Sequence, residues 1–242
     1  MPVFSRGDVS IYYEVHGSGF PLLLLPPGGM NAAIPAWQRA AFNPIEIFSR
    51  EYMVVAMDER NAGQSSGPLD LDDPWSMFAS DQLALMNHLG IQRFHALGCC
   101  IGGAQVLKLM ETAGDRVASG VLEQPVGVDE NNKTVLPNMW KEWASQLTSK
   151  RPEITMAMCE QFGRKMWEGD FVLCVTRDFV RSCQTPMLVL PGIDLPHPTA
   201  IGHEIAELAP KAEMLEPWKE PTDLMPRTVA RIRQFLHDHT PS

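Results

Sequence analysis

The segment 98–103 (GCCIGG) constrains the fold more than any other part of the chain. A short apolar run over 93–97 precedes it and predicts a buried strand, and the apolar spacing over 104–111 predicts a helix. The segment is therefore a tight turn from strand to helix with the Cys100 side chain at its apex. Gly98 and Gly102 allow the two elements to approach closely, and the helix N-terminus behind the apex favours a thiolate.

Buried strands and helices alternate along most of the chain. This order predicts an α/β fold with a mostly parallel, doubly wound sheet, whose chemistry lies at the carboxyl ends of the strands. Besides the strand before Gly98, the apolar runs predict strands over 21–25, 52–57, 117–122, 187–190 and 212–215. The predicted helices, besides the one after the apex, cover 36–48, 75–89, 199–208 and 223–237.

Residues 129–181 break this order, because helical pieces follow one another there without a buried strand. We expect a helical cap at 129–181, inserted into a core formed by 1–128 and 182–242. Its large apolar residues are either the cap's own core or a lid above Cys100 that favours an apolar or aromatic acyl group. The residues predicted for such a substrate pocket are Trp140, Trp143, Trp167 and Phe171.

The composition is typical of a globular protein, with 45% hydrophobic and 20% charged residues. The net charge of −9 argues against nucleic acids and anionic membranes as partners. The five cysteines have no framework spacing, and the N-terminal residues do not resemble a signal peptide, so we expect a cytoplasmic protein. Metal-binding and nucleotide-binding motifs are missing, which predicts neither a metal nor a cofactor. The expected partner is a small-molecule substrate, and a homodimer stays open.

Four motifs occur in an order that resembles the α/β-hydrolase fold family. They are a glycine-rich loop over 27–30, a D-x-R-x-x-G-x-S turn from Asp58 to Ser65, the 98–102 turn as a G-x-C-x-G nucleophile elbow, and a G-x-D turn over 192–194. The cysteine at the apex resembles the dienelactone-hydrolase branch in its chemistry.

This resemblance implies roles for particular residues. Cys100 would be the nucleophile and Asp194 the acid that orients a histidine. Asp58 and Arg60 would form an ion pair that holds a turn behind the site. The oxyanion hole would be built from backbone N–H groups of Gly28, Gly29, Met30 and Ile101.

The general base is the open question. The family pattern implies a histidine near 217–221, and this chain has none there. We expect His197, three residues after Asp194, to serve as the base. Because these two are so close in sequence, Glu123 is an alternative acid. Lys219 and Glu220 are the alternative base and acid at the place where the histidine is missing.

These observations predict a cofactor-independent hydrolase of a carboxylic ester, thioester or lactone that acts through a cysteine acyl-enzyme. Because a thiolate is also a good leaving group, acyl transfer can replace hydrolysis. One alternative is a C–N hydrolase, of the amide or nitrile type, that uses Cys100 with Lys219 and Glu220. The other is a non-catalytic ligand-binding protein of the same fold.

Overall fold

A computed structural model describes residues 2–241 and folds them around one eight-stranded sheet. The strands are β1 (Val3–Arg6), β2 (Val9–His16), β3 (Pro21–Leu25), β4 (Met53–Met57), β5 (Phe94–Cys99), β6 (Val117–Glu123), β7 (Met187–Leu190) and β8 (Ala212–Met214). Their order in the sheet is β1-β2-β4-β3-β5-β6-β7-β8. β2 is antiparallel to both of its neighbours. The other pairs, from β4 through β3 to β8 in sheet order, are parallel. The predicted α/β fold with a mostly parallel sheet is confirmed.

Helices cover both faces of this sheet. They are α1 (Pro44–Phe48), α2 (Pro74–His88), α3 (Ile101–Ala113), α4 (Lys141–Lys150), α5 (Met156–Trp167), α6 (Arg177–Ser182), α7 (Thr199–Leu208) and α8 (Met225–Asp238). Successive side chains of β5 alternate between two apolar clusters, because a strand projects them to opposite faces. Phe94 and Ala96 join the cluster that contains α2 and α3, whereas Leu97 and Cys99 join the one that contains α8.

The predicted helix over 36–48 is wrong in its extent. The chain instead forms a 3₁₀ helix, Ile34–Arg39, and then α1. Asn43 separates them, because its side chain caps α1 by accepting the N–H of Ile45 at 3.1 Å. Pro44 follows, and a residue that precedes proline is disfavoured in the helical region.

Residues 129–181 are helical and contain no strand, and their apolar side chains extend the larger cluster above the sheet. α4 and α5 lie there, together with a 3₁₀ helix at Leu136–Asn138. Asn132 lies near the start of this segment and is fully buried. Its Nδ2 donates to the backbone oxygens of Gly127 at 2.8 Å and Leu195 at 2.9 Å. The segment is thereby joined to the loop after β7.

A chain of hydrogen bonds runs through His95 near the amino end of β5. The Thr240 hydroxyl donates to the Leu236 carbonyl at 2.8 Å, so its oxygen accepts from His95 Nε2 at 3.0 Å. His95 Nδ1 then accepts from the Ser119 hydroxyl at 2.8 Å. The ring is fully buried, and this burial lowers the pKa of His95 to about 3. His95 is thus a neutral link between the sheet and the residues that follow α8.

A buried carboxyl follows β4. Glu59 Oε1 accepts from Gln82 Nε2 at 2.8 Å, while Glu59 Oε2 and Gln82 Oε1 both lack a partner. Burial raises the pKa of Glu59 to about 8. A neutral carboxyl carries a proton on Oε2, which can be donated to Gln82 Oε1. A hydrogen bond from protonated Glu59 Oε2 to Gln82 Oε1 would give each of these two oxygens a partner.

None of the helices within 2–241 is long and apolar enough to cross a membrane.

Candidate active site

Cys100 lies at the apex of the turn between β5 and α3, with φ 60° and ψ −118°. A Cβ atom on Gly98 would lie 2.0 Å from the Gly102 oxygen, and one on Gly102 would lie 2.0 Å from the Leu25 oxygen. Both positions therefore require glycine for close packing, as the sequence predicted. The positive φ of Cys100 is a strained conformation for a residue with a side chain. It separates Cys100, which is partly exposed, from the buried Cys99.

Three groups surround the Cys100 sulfur: the His197 side chain and the backbone amides of Gly28 and Ile101. Burial acts to raise the pKa of the Cys100 thiol, but these three groups outweigh it, and the pKa is lowered. Two of the three lie on loops that follow buried parallel strands, and the third is the first residue of α3. The sulfur therefore sits where the fold concentrates backbone N–H donors.

His197 lies in the loop after β7 and is 7% exposed. Its Nδ1 lies 2.5 Å from Asp194 Oδ1, and its backbone N–H donates to the Asp194 carbonyl at 3.0 Å. Its Nε2 is buried without a regular hydrogen bond and interacts with the Cys100 thiol. Burial acts to lower the pKa of His197, yet Cys100 and Asp194 outweigh it and raise the pKa. The opposite shifts of sulfur and ring favour a thiolate beside an imidazolium.

Bonds from outside the loop fix the position of His197. Trp218 Nε1 donates to the Pro191 carbonyl at 2.7 Å, and the Thr199 hydroxyl donates to the Gly192 carbonyl at 2.7 Å. Asn132 holds the Leu195 carbonyl on the other side. Sequence reasoning missed Trp218 and Asn132, because a side chain that binds a distant carbonyl leaves no local pattern.

Glu123, the alternative acid, ends β6 and is fully buried. Neither of its side-chain oxygens has a hydrogen-bond partner of regular geometry. Burial raises its pKa to about 7, although Cys99 and the charges of Lys219 and His197 act to lower it. Asp194, rather than Glu123, is the carboxylate bonded to His197 Nδ1.

The alternative base and acid lie apart from this arrangement. Lys219 Nζ donates to Gln124 Oε1 at 2.6 Å and lies 5.4 Å from the centre of the Trp218 ring. Glu220 is exposed. Neither residue is among the groups that shift the pKa of Cys100.

The glycine-rich loop after β3 adopts positive φ angles of 128° at Gly28 and 59° at Gly29. Among the three residues of this loop in the predicted oxyanion set, Gly28 is the one whose amide faces the Cys100 sulfur, as does the amide of Ile101. Met30 is buried, and its sulfur accepts from Trp167 Nε1 at 3.2 Å. A Cβ atom on Gly29 would lie 3.8 Å from the Trp167 ring, so this indole covers the loop.

The other three predicted pocket residues make contacts within or beside the helical segment. A Cβ atom on Gly163 would lie 2.2 Å from the Trp140 ring. Trp143 stacks on Phe162 with ring centres 5.5 Å apart. Phe171 lies under the Arg177 guanidinium at 4.8 Å. These contacts favour a packing role, and Trp167 is the aromatic residue that touches the glycine loop.

The predicted ion pair between Asp58 and Arg60 is wrong. Arg60 instead binds Asp81 on α2 through two bonds of 2.6 Å. Asp58 accepts the backbone N–H groups of Ile34 and Gln64, both at 2.8 Å. Each side chain still stabilises the turn after β4, but through a different partner.

In the part of the chain that the structure describes, His, Cys, Asp and Glu side chains form no group of three that could hold a metal ion.

Known proteins resemble this chain in sequence and in fold. Residues 21–169 match the family model of the alpha/beta hydrolase fold. RutD of Azorhizobium caulinodans, a predicted carbamate hydrolase, is 30% identical over 49% of this chain and 42% of its own length. A fluoroacetate dehalogenase of Burkholderia sp. is 33% identical over 61% of this chain and 49% of its own length. The chain thus matches about half the length of these relatives.

Two solved structures share the fold. A meta-cleavage product hydrolase (CumD) from Pseudomonas fluorescens IP01 superposes with a TM-score of 0.74 at 18% identity, covering 99% of this chain and 98% of that one. The enol-lactonase from Burkholderia xenovorans LB400 gives a TM-score of 0.69 at 19% identity, covering 98% of this chain and 100% of that one.

Proposed function

We propose, from the premise that this chain belongs to the alpha/beta hydrolase fold family, that it hydrolyses a carboxylic ester, thioester or lactone through a Cys100 acyl-enzyme. The observation that carries the proposal is the set of groups around the sulfur: the His197 side chain and the backbone amides of Gly28 and Ile101. A polarised thiol beside a base and two N–H donors is the arrangement that acyl transfer requires.

In the acylation step, the thiolate attacks the substrate carbonyl carbon and its electrons move to the carbonyl oxygen. The amides of Gly28 and Ile101 lie beside the sulfur, and in this proposal they stabilise the negative charge that develops on the oxygen. The tetrahedral intermediate then collapses and the leaving group departs with a proton from the His197 imidazolium. Asp194 keeps the ring oriented through Nδ1.

In the deacylation step, neutral His197 takes a proton from water, and the water oxygen attacks the thioester carbonyl. The same amides receive the negative charge, and the acid product leaves as the thiolate forms again. The Trp167 indole above the glycine loop supports an apolar or aromatic group in the acyl part of the substrate. An alcohol or amine in place of water would make the reaction an acyl transfer.

Two other chemistries have less support. A C–N hydrolase that uses Lys219 would need this amine at the sulfur, whereas Lys219 is bonded to Gln124. Dehalogenation, the activity named for one relative, would join Cys100 to an alkyl carbon. Such a thioether has no carbonyl for water to attack, so turnover would stop.

Labelling with iodoacetamide near neutral pH tests the proposal against a non-catalytic role. We expect Cys100 to react much faster than a free thiol, and the four buried cysteines to react slowly. Peptide mass spectrometry locates the label. When the reaction is stopped with acid during turnover, 4-nitrophenyl acetate should also have left one acetyl group on the wild-type protein and on a Cys183→Ala control, but not on Cys100→Ala. A Cys100 thiol no faster than a free thiol would refute the proposed enzyme.

A further inference from the structure

A polar cavity of about 230 Å³ lies between the loop after β4 and α4. Asn31, Asn61, Lys150 and Arg151 are among its lining residues, together with serine and glutamine side chains. No aspartate or glutamate lines it. The cavity is thus rich in hydrogen-bond donors and lies outside the set of residues around Cys100.

Asn61 lines this cavity, and its side-chain amide contains a buried donor. The residue is 8% exposed, and its Oδ1 accepts the Gly67 N–H at 3.1 Å and Arg151 Nη1 at 2.8 Å. These two donors fix the orientation of the side-chain amide, so the opposite end is the NH₂ group. Its Nδ2 has no partner. A buried donor without an acceptor destabilises a protein by about 1–3 kcal/mol, and an acceptor that enters the cavity would remove this penalty.

The charge of the cavity has the matching sign. Arg151 forms an ion pair with Glu153 at 2.7 Å, and its guanidinium also donates to Asn61 and to the Gly67 carbonyl. Lys150 is exposed, and none of the acidic side chains within 2–241 pairs with it. Lys150 therefore brings an unpaired positive charge to the lining of the cavity.

The cavity adjoins the glycine-rich loop of the active site. Asn31, which lines the cavity, ends the 3₁₀ helix Gly29–Asn31, and its N–H donates to the Gly28 carbonyl at 3.0 Å. A turn of this kind brings its first and last Cα atoms within about 7 Å. Gly28 is the residue whose amide faces the Cys100 sulfur. The cavity therefore adjoins the loop that carries the Gly28 amide.

We propose that this cavity binds a carboxylate or similar anionic group of the substrate, with Asn61 and Lys150 as its principal contacts. The inference rests on the proposed function for the identity of the substrate. The substrate then combines a reactive acyl carbon at Cys100, an apolar part under Trp167 and an anionic end at Asn61.

Binding of glutarate, measured by calorimetry, tests the site without any turnover. Asn61→Asp retains the oxygen that Gly67 and Arg151 hold, and asparagine and aspartate both tolerate the φ of 63° at this position. It replaces the NH₂ donor with a carboxylate oxygen that repels the ligand. We expect Asn61→Asp and Lys150→Gln to weaken glutarate binding about tenfold or more, and Lys141→Gln, on the exposed start of α4, to bind as wild type does.

Turnover then distinguishes a substrate site from a separate anion site. We compare kcat/KM for mono-4-nitrophenyl glutarate with that for its neutral methyl ester. The ratio should fall about tenfold in Asn61→Asp and Lys150→Gln and stay at its wild-type value in Lys141→Gln. Glutarate should inhibit the wild-type enzyme competitively.

Three outcomes would overturn the inference: no glutarate binding by the wild-type protein, equal binding by all variants, or non-competitive inhibition. If neither ester is hydrolysed, the proposed function fails. The calorimetric result then decides separately whether the cavity binds an anion.

Discussion

Two histidines, His197 and His95, are buried at opposite ends of the strands of one sheet, and their pKa values shift in opposite directions. His197, at the carboxyl ends of the strands, is 7% exposed, and His95, near their amino ends, is 0% exposed. Each ring has a nitrogen within 2.8 Å of a side-chain oxygen, that of Asp194 or that of Ser119. Yet the pKa of His197 is raised, whereas that of His95 falls to about 3.

The partners explain the difference. Burial disfavours the charged imidazole at both places. His197 has a carboxylate and a thiol that can become a thiolate as its neighbours, whereas the ring nitrogens of His95 bond to the hydroxyl groups of Thr240 and Ser119. A buried histidine is therefore a candidate base only where its neighbours can carry negative charge. Neither of these two hydrogen bonds of His95 involves a carboxylate. The chain of hydrogen bonds runs from the Ser119 hydroxyl through His95 and Thr240 to the Leu236 carbonyl.

Replacing His197 should produce the largest effect. His197→Ala removes the proposed base for both acylation and deacylation, so we expect kcat to fall by about 10²–10⁴-fold with little change in stability. His203→Ala, an exposed histidine paired with Glu216, is the matched control and should retain activity. Stopped-flow and steady-state kinetics with an aryl ester measure both variants. A His197→Ala enzyme within tenfold of wild type would require another base.

His95 should affect stability rather than catalysis. Its pKa in the folded protein lies below its ordinary value of 6.5, so only the unfolded chain binds a proton between these values. The contribution of neutral His95 to the free energy of unfolding is complete above pH 6.5. It is lost as the pH falls toward 3, by up to about 1.4 kcal/mol for each pH unit.

Urea unfolding between pH 7.5 and 4.5 measures this loss. His95→Phe cannot titrate, so its free energy of unfolding should depend less on pH than that of the wild type. The difference between the two proteins isolates His95 from the other groups that titrate in this range. Parallel curves would show that His95 is protonated in the folded state.

Replacing Asp194 should change both the pKa of His197 and the rate of turnover. Asp194→Asn removes a charge that helps to raise the pKa of His197, although its side chain is 48% exposed and water screens part of the effect. We expect kcat to fall about 10- to 100-fold and the alkaline limb of the pH–rate profile to move to lower pH. Asp178→Asn, which alters an exposed pair with Arg181, is the control. An unchanged alkaline limb would separate Asp194 from the titration of His197.

Glu59 extends the comparison to a buried carboxyl and should give the smallest effect. Its pKa of about 8 exceeds its ordinary 4.5, so the stabilisation is complete below pH 4.5 and is lost as the pH rises through 8. Glu59→Gln retains an oxygen that can accept from Gln82 Nε2 and adds a donor that needs no proton. We expect the variant to be more stable than wild type by about 1–2 kcal/mol at pH 8, with the gain disappearing near pH 4.5. Thermal unfolding across this range tests it, and a variant that is less stable than wild type throughout the range would contradict it.

The sequence was sufficient for the features that depend on local pattern. Alternating apolar runs predicted the sheet, and the glycines around Cys100 predicted the turn, because only glycine permits backbone contacts this close. His197 and Asp194 lie in one short loop, so the sequence already placed them at one edge. Their assigned roles remain predictions that the variants above test.

Features that depend on distant partners could not be predicted. Arg60 binds Asp81 rather than Asp58, and no pattern within the turn indicates which carboxylate will face the guanidinium once α2 has packed. The contact of Asn61 with Arg151 joins residues 90 positions apart and defines the polar cavity only after the helical segment has folded. The helix over 36–48 was mispredicted because the capping ability of Asn43 was overlooked.

The short loop after β7 has a consequence for conformational entropy. Asp194 and His197 are joined through both backbone and side chain, so ordering one four-residue segment places both groups. A histidine supplied from a separate loop would require two segments to be ordered independently. Trp218 lies beyond the last strand, in the stretch where the resemblance placed a histidine, and it supports this loop by binding the Pro191 carbonyl. That stretch of the chain thereby helps to hold in place the loop that carries the proposed base.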